Sequence, residues 1–194
     1  MDKISYALGL SIGNNFQGSG ISALEIEDFV KGLKAVLNNE TPELSYDEAK
    51  QVINDFFTKL QSEKLTLNKK AGDEFLSINK NKEGVVVLPS GLQYQVLTKG
   101  TGAKPSATDQ VKCHYHGTLI NGTVFDSSVQ RGQPAVFGVS QVIPGWVEAL
   151  QLMETGAKWR LFIPSNLAYG EQGAGEKIEP NSTLIFDVEL IEIV

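Results

Sequence analysis

The stretch HYHGTLINGTVFDSS, from His114 to Ser128, places two histidines, a tyrosine, an aspartate and two serines within fifteen residues. Three kinds of chemistry could use them. His114 and His116, two apart on a strand, share a face and could both reach one metal ion, but zinc-type sites need three or four protein ligands and the chain has no third histidine. Ser127 and Ser128 lie near the histidines, but a serine nucleophile needs a strained turn and an oxyanion hole, and no G-x-S-x-G is present. Asp126-Ser127-Ser128 reads more simply as a turn. The single cysteine, Cys113, falls mid-strand facing the core, where a thiol is an inert small hydrophobe. Gly170, Gly173 and Gly175 mark a loop without phosphate-loop spacing and without a following Lys-Ser/Thr.

The third kind of chemistry is aromatic. Tyr115, Phe125, Phe137, Trp146, Tyr169 and Phe186 fall on or beside predicted strands and one short helix. They could be an ordinary core. Trp146 at a helix start and Tyr169 in a Gly-rich loop are unusual core positions, and aromatics converging with a few polar groups also make an apolar pocket. Composition bounds the choice. The formal net charge of −6 and a pI near 5.0 argue against nucleic acid, which needs a basic face, and weakly against anionic membranes. One cysteine precludes an intramolecular disulfide and a Cys-rich zinc site. The first residues, MDKISYALGLSIGNNF, hold no long apolar run, so neither a secretory signal nor a membrane span is expected. The expected location is the cytoplasm, or the periplasm if a leader has been removed.

These residues must be positioned by the second of two unlike halves. Residues 1–88 hold 7 of the 19 glycines and one of the 7 prolines, and residues 89–194 hold the rest. The first half has helical periodicity. Ile4, Leu8, Ile12 and Phe16 form a stripe. Ser22 with Glu25 reads as a capping box before a second stripe from Ile26 to Leu37, and Ser45 with Glu48 as another before a third from Ala49 to Leu60. The pattern continues through Phe75 and Ile78, predicting one helix over about 46–82, closed by Lys80, Lys82 and Gly84. At ~1.5 Å per residue it would run about 55 Å, longer than a domain of this size can cover alone. Gly9 and Gly13 on the first helix suggest a close helix crossing. Packing within one chain would serve, but the excess apolar surface favours packing between two.

The second half has strand periodicity over Leu92–Thr98, Gln110–Ile120, Ala157–Ile163 and Thr183–Ile193. Asn121-Gly122 predicts a two-residue hairpin turn. Pro144–Met153 predicts a short helix, with Pro144 at its start and Gly156 beyond its end. The expected fold class is α+β: an all-helical first part with a long linking helix, then an antiparallel sheet wrapped on one short helix.

Four blocks in order, HYHGTLINGTVFDSS (114–128), VIPGWVEALQLM (142–153), AKWRLFIPSNLAYG (157–170) and PNSTLIFDVELIEI (180–193), resemble the FKBP family of peptidyl-prolyl cis–trans isomerases, which bind macrolide drugs. SYALGLSIGNNF and the long helix running into NKNKEGVVVLPSGLQYQVL resemble the N-terminal dimerisation domain of the bacterial Mip-like subfamily. The resemblance implies a helical dimerisation domain over 1–88 and an isomerase domain over 89–194. It implies a V-shaped homodimer formed through residues 1–60, proline-containing polypeptides as substrates, macrolides as inhibitors, chaperone activity, no metal and no cofactor. It carries a pocket onto Tyr115, Phe125, Asp126, Phe137, Val142 and Ile143, together with Trp146, Tyr169, Ile178 and Phe186. Trp146 would be the floor, the Ile143 N–H and the Tyr169 hydroxyl would bond substrate carbonyls, and Asp126 would be the polar wall. His114 and His116 would take no part. Ala135, the short Gly138–Gln141 segment, Ala174 and Lys177 depart from the family's eukaryotic members.

Overall fold

The computed structural model describes residues 1–194. Two compact units divide the chain at Ser62/Glu63. The first contains α1 (Lys3–Gly18), α2 (Ile26–Leu37) and the start of α3 (Tyr46–Asn79). Asp2 caps α1 by accepting from the Ser5 N–H at 2.8 Å. The expected capping box at Ser45 forms: Ser45 N–H donates to Glu48 Oε2 at 2.9 Å, and Glu48 N–H donates to Ser45 Oγ at 3.2 Å. The one expected at Ser22 does not form. There α2 starts four residues later, with Glu25 at its N-cap and no side-chain cap bond. Glu27 and Asp28 in its first turn supply the negative charge that a helix start favours, so the dipole substitutes for a hydroxyl cap. Phe16 meets Phe29 edge-on at 5.5 Å between ring centroids, joining α1 to α2. Neither helix has a buried residue.

The single helix predicted over 46–82 is observed as α3, three residues shorter at its end, because Lys80–Gly84 turn back and Gly84 takes φ +77°. The second unit, Glu63–Val194, begins inside α3 because only that end of the helix is buried. Gly72, Leu76 and Asn79 are its buried residues. A Cβ at Gly72 would overlap Thr183 Oγ1, so a glycine is what lets the helix lie against the start of β7. Asn79 Nδ2 donates to Gln93 Oε1 at 3.0 Å, and Gln93 Nε2 donates to the Leu76 carbonyl at 2.9 Å, fastening helix to sheet.

The sheet comprises β1 (Val85–Val87), β2 (Gln93–Thr98), β3 (Gln110–Leu119), β4 (Val124–Ser127), β5 (Ala135–Gly138), β6 (Lys158–Ile163) and β7 (Leu184–Ile193). All pairings are antiparallel in the order β1-β2-β6-β7-β3-β4, with β5 pairing the first half of β3. β1, β4 and β5 are three or four residues long, too short for alternation to signal them, and they exist by pairing with longer neighbours.

The turn after β3 differs from the two-residue form expected. Gly122 N–H donates to the Leu119 carbonyl at 2.9 Å, and Leu119 N–H to the Thr123 carbonyl at 2.9 Å. Gly122 alone takes positive φ, at +85°, while Asn121 keeps negative φ and accepts from the Thr123 N–H. Either mirror-type two-residue turn would need positive φ at its first central residue, Asn121, so the loop takes the three-residue form. The short helix α4 (Pro144–Leu150) stops before the expected Met153 and buries Trp146, Ala149 and Leu150 in a core shared with the sheet. Leu150, Met153, Leu161, Ile163, Leu184, Val188 and Leu190 are fully buried in one core with Trp146.

Candidate active site

A cavity of about 840 Å³ opens between α4, β3, β4, β5, β7 and the loop that precedes β7. Each position is local grammar made spatial. Tyr115 lies on the core-facing register of β3, and Phe125 and Asp126 lie on β4 beyond the glycine turn. Phe137 lies on β5 opposite Val111. Pro144 opens α4 at its first turn, where a missing N–H costs nothing, and this sets Trp146 facing inward. All ten residues carried over from the resemblance line this one cavity. His114 and His116 do not: each presents Nδ1 to a serine, Ser128 Oγ at 3.0 Å and Ser127 Oγ at 2.9 Å, so the histidine–serine pairs tie β3 to β4. Ser128 Oγ also accepts from the Tyr115 N–H at 2.7 Å. No three His, Cys, Asp or Glu side chains converge as metal ligands would.

The floor is an edge-to-face aromatic cluster. Trp146, 4% exposed, meets Tyr115 at 5.5 Å, Phe137 at 5.4 Å and Phe186 at 5.2 Å between centroids, with interplanar angles of 84°, 65° and 84°. Phe125 meets Phe186 at 5.2 Å. Such pairs contribute about 0.5–1.5 kcal/mol each beyond their buried area, enough to hold the rings in one arrangement. Gly117 makes room for it. A Cβ there would come within 2.6 Å of the Phe125 ring and 2.8 Å of the Phe186 ring.

The polar wall is a three-residue network. Tyr115 Oη donates to Asp126 Oδ2 at 2.6 Å. Arg131 Nη2 donates to Tyr115 Oη at 2.8 Å, Arg131 Nη1 donates to Asp126 Oδ1, and the guanidinium carbon stands 5.6 Å from the Tyr115 ring centroid. Burial pushes the Asp126 carboxyl up, but the hydrogen bonds from Tyr115 and Arg131 and the arginine charge outweigh it and hold the group below its ordinary value of 3.8. Burial, with the Asp126 bond, pushes the Tyr115 hydroxyl up. At neutral pH the wall is therefore an ionised carboxylate and a neutral phenol. Both are already bonded, which suits orientation and electrostatics better than proton abstraction. Burial pushes the Cys113 thiol up to about 12, which removes it as a nucleophile.

Two groups at the rim remain free to bond a ligand. The Ile143 N–H has no acceptor within the chain, and the Tyr169 side chain is 41% exposed. The sequence reading missed Arg131, Gly117, Gln141 and the loop residues Gly175 and Glu176. Arg131 stands five residues past Asp126, just before the positive-φ Gly132, and only the turn brings it back.

Residues 101–191 match the family model described as FKBP-type peptidyl-prolyl cis-trans isomerase, and residues 1–96 match the domain amino terminal to FKBP-type peptidyl-prolyl isomerase. The chain is 47% identical over 199 residues to the outer membrane protein MIP of Legionella longbeachae, covering 99% of this chain and 85% of that protein. It is 45% identical over 195 residues to the FKBP-type 22 kDa peptidyl-prolyl cis-trans isomerase of Escherichia coli K12, covering 99% and 95%. The crystal structure of FkpA from Escherichia coli superposes with a TM-score of 0.80 at 35% identity, over 98% of this chain and 95% of that one. A cavity without nucleophile or metal ligands, built on a fold shared from end to end with these proteins, has one consistent place: the chain belongs to the FKBP-type peptidyl-prolyl cis-trans isomerases, in the bacterial Mip- and FkpA-like branch that carries the amino-terminal domain.

Proposed function

We propose that the chain accelerates rotation about X–Pro bonds in unfolded or partly folded polypeptides, and that the ten cavity residues are where it does so. An uncatalysed X–Pro bond rotates in tens to hundreds of seconds over a barrier of ~18–20 kcal/mol, which is lost amide resonance. The planar amide separates more charge than the twisted one, so a dry aromatic surround disfavours the ground state relative to the transition state. The observation that carries this reading is Trp146, nearly buried and flanked edge-on by three rings, lining the base of an open cavity. The proline ring sits on Trp146. The free Ile143 N–H and the Tyr169 hydroxyl hold the flanking carbonyls, and the Asp126 carboxylate faces the twisting amide. No covalent intermediate, metal or cofactor takes part.

A peptide isomerisation assay tests this by comparing the intact chain with Tyr169→Ala. Fast turnover that falls by about tenfold in the variant, the equivalent of ~1.4 kcal/mol of differential binding, supports the assignment. Equal rates would remove Tyr169 from the site, and no turnover by the intact chain would leave the cavity a docking pocket. Macrolides are proposed to compete for the same cavity.

The same proposal makes residues 1–88 a dimerisation domain and 89–194 the isomerase domain, with pairing through residues 1–60. Its support is that α1 and α2 bury nothing while Leu8, Ile26, Leu37 and Ile53 lie exposed, and that no atom comes within 4 Å of a Cβ placed at Gly9 or Gly13. Those apolar faces also support chaperone capture of client chains. No helix is long and apolar enough to cross a membrane. The cytoplasm is proposed as the location, because a lone buried thiol gives the fold no need of an oxidising compartment. Immunoblotting of a periplasmic fraction checks it.

A further inference from the structure

The segment between Tyr169 and Pro180 forms a small flap at the mouth of the cavity. Ala174 N–H donates to the Ile178 carbonyl at 2.8 Å and Ile178 N–H returns a bond to the Ala174 carbonyl at 3.1 Å, closing a three-residue loop of Gly175, Glu176 and Lys177. Gly173 fixes the base. It takes φ +63°, and a Cβ there would overlap the Ile178 carbonyl oxygen. Ile178 is buried and anchors the returning strand in the core. The flap is therefore held in place at its base, and Glu176 stands at its apex.

Lys177 ties the flap across the mouth. Its Nζ donates to the Val124 carbonyl at 3.2 Å, next to Phe125 and Asp126 on β4. That bond commits the ammonium to a backbone oxygen. The charged side chains lining the cavity are Asp126, Glu176 and Lys177. Arg131 pairs with Asp126, and Lys177 keeps its positive charge but is held against β4 by the Val124 carbonyl, whereas Glu176 is exposed and has no ion-pair partner, so its carboxylate is the one anionic group at the rim free to meet a ligand. The apolar floor is filled by proline, so the side chains flanking proline must pass the rim where this carboxylate stands.

We propose that Glu176 is a specificity-determining residue that reads the charge of the side chain beside proline, favouring basic residues over acidic ones. The proposal rests on the isomerase reading of the cavity and names the substrate class within it. A carboxylate in water attracts a flanking Lys or Arg and repels a flanking Asp or Glu only modestly, and salt screens both effects.

The test measures kcat/KM on three peptides, Ala-Xaa-Pro-Phe with Xaa as Lys, Leu or Glu, at low and at moderate ionic strength. The intact chain is expected to prefer Lys over Glu by about threefold to tenfold at low salt, with the ratio shrinking as salt is added. In Glu176→Gln the ratio should fall towards one. Glu154→Gln, which removes the same charge from an exposed position outside the cavity lining, should keep it. Equal or reversed preference in the intact chain overturns the proposal, as does a ratio unchanged in Glu176→Gln. A ratio lowered equally by Glu154→Gln also overturns it, because net charge would then be responsible. Turnover of the Leu peptide separates the two readings. If it is fast while the Lys/Glu ratio is one, only this proposal fails; if no peptide is turned over, the isomerase reading fails and takes this proposal with it.

Discussion

At the scale of single residues, the cavity wall works as an electrostatic device set by neighbours. Asp126 accepts from Tyr115 and Arg131, and its folded value lies below the ordinary 3.8. A carboxyl depressed in this way adds stability that is present above its unfolded value and lost as pH falls through the folded one. Isomerase activity that depends on the ionised form should therefore be flat around neutral pH, with its acid limb lying lower than an ordinary aspartate would give. Arg131→Ala removes two of the influences that hold the carboxyl down, so its acid limb should move up in pH while Arg131→Lys recovers part of the shift. Asp126→Ala should lower kcat/KM by about tenfold, the equivalent of ~1.4 kcal/mol of transition-state stabilisation, with the fold intact by far-UV circular dichroism. Undiminished kcat/KM in Asp126→Ala would make the carboxylate a structural anchor of the β3–β4 edge.

At the scale of elements, the cavity depends on a gap in a strand. Gly117 lies in β3 with no unusual backbone angle, yet the rings of Phe125 and Phe186 occupy the space a side chain would need. Gly117→Ala should lower stability by about 1–3 kcal/mol, the usual cost of overpacking a filled core. It should also reduce kcat/KM more than an equally destabilising change elsewhere in the sheet, because the displaced rings form the floor. A chemical denaturation curve and a turnover assay on the same sample check both halves. Full activity with lowered stability would show that the rings relax without the floor noticing. The nearby histidine–serine pairs are the counter-example. His114 and His116 have the residue types of catalysis but serve to join β3 to β4.

At the scale of the whole molecule, the apolar stripes of α1, α2 and the first part of α3 exceed anything the chain itself covers. Light scattering should report a mass twice the 21.1 kDa of one chain. Leu8→Asp, at a side chain 60% exposed in the single chain, should halve that mass while leaving turnover of a short peptide unchanged. It should also weaken suppression of aggregation of an unfolded client, if capture needs two copies. A monomeric intact chain would remove the dimer, and a dimer untouched by Leu8→Asp would move the interface off α1.

Periodicity was enough to place α1, α3 and the long strands β3, β6 and β7, because a buried stripe or face leaves a repeat of 3.6 or 2 in the order of residues. The Ser45 capping box was legible for the same reason: it is made within four residues. So were the aromatic side chains, whose positions at a helix start and in a Gly-rich loop were odd for a core. Tertiary structure alone decided the rest. Whether Ser22 or the acidic first turn begins α2, and whether Asn121-Gly122 closes a two- or three-residue loop, depends on the strands and helices that follow. β1, β4 and β5 are too short to carry a signal and exist only through their partners. Arg131 and Gly117 gain their roles from residues further off in the chain: a guanidinium bonded to the Tyr115 hydroxyl, and a missing Cβ beneath the rings of Phe125 and Phe186. Local order dictates the elements because their hydrogen bonds and repeats are local, whereas the chemistry of the cavity is set by distances across the sheet.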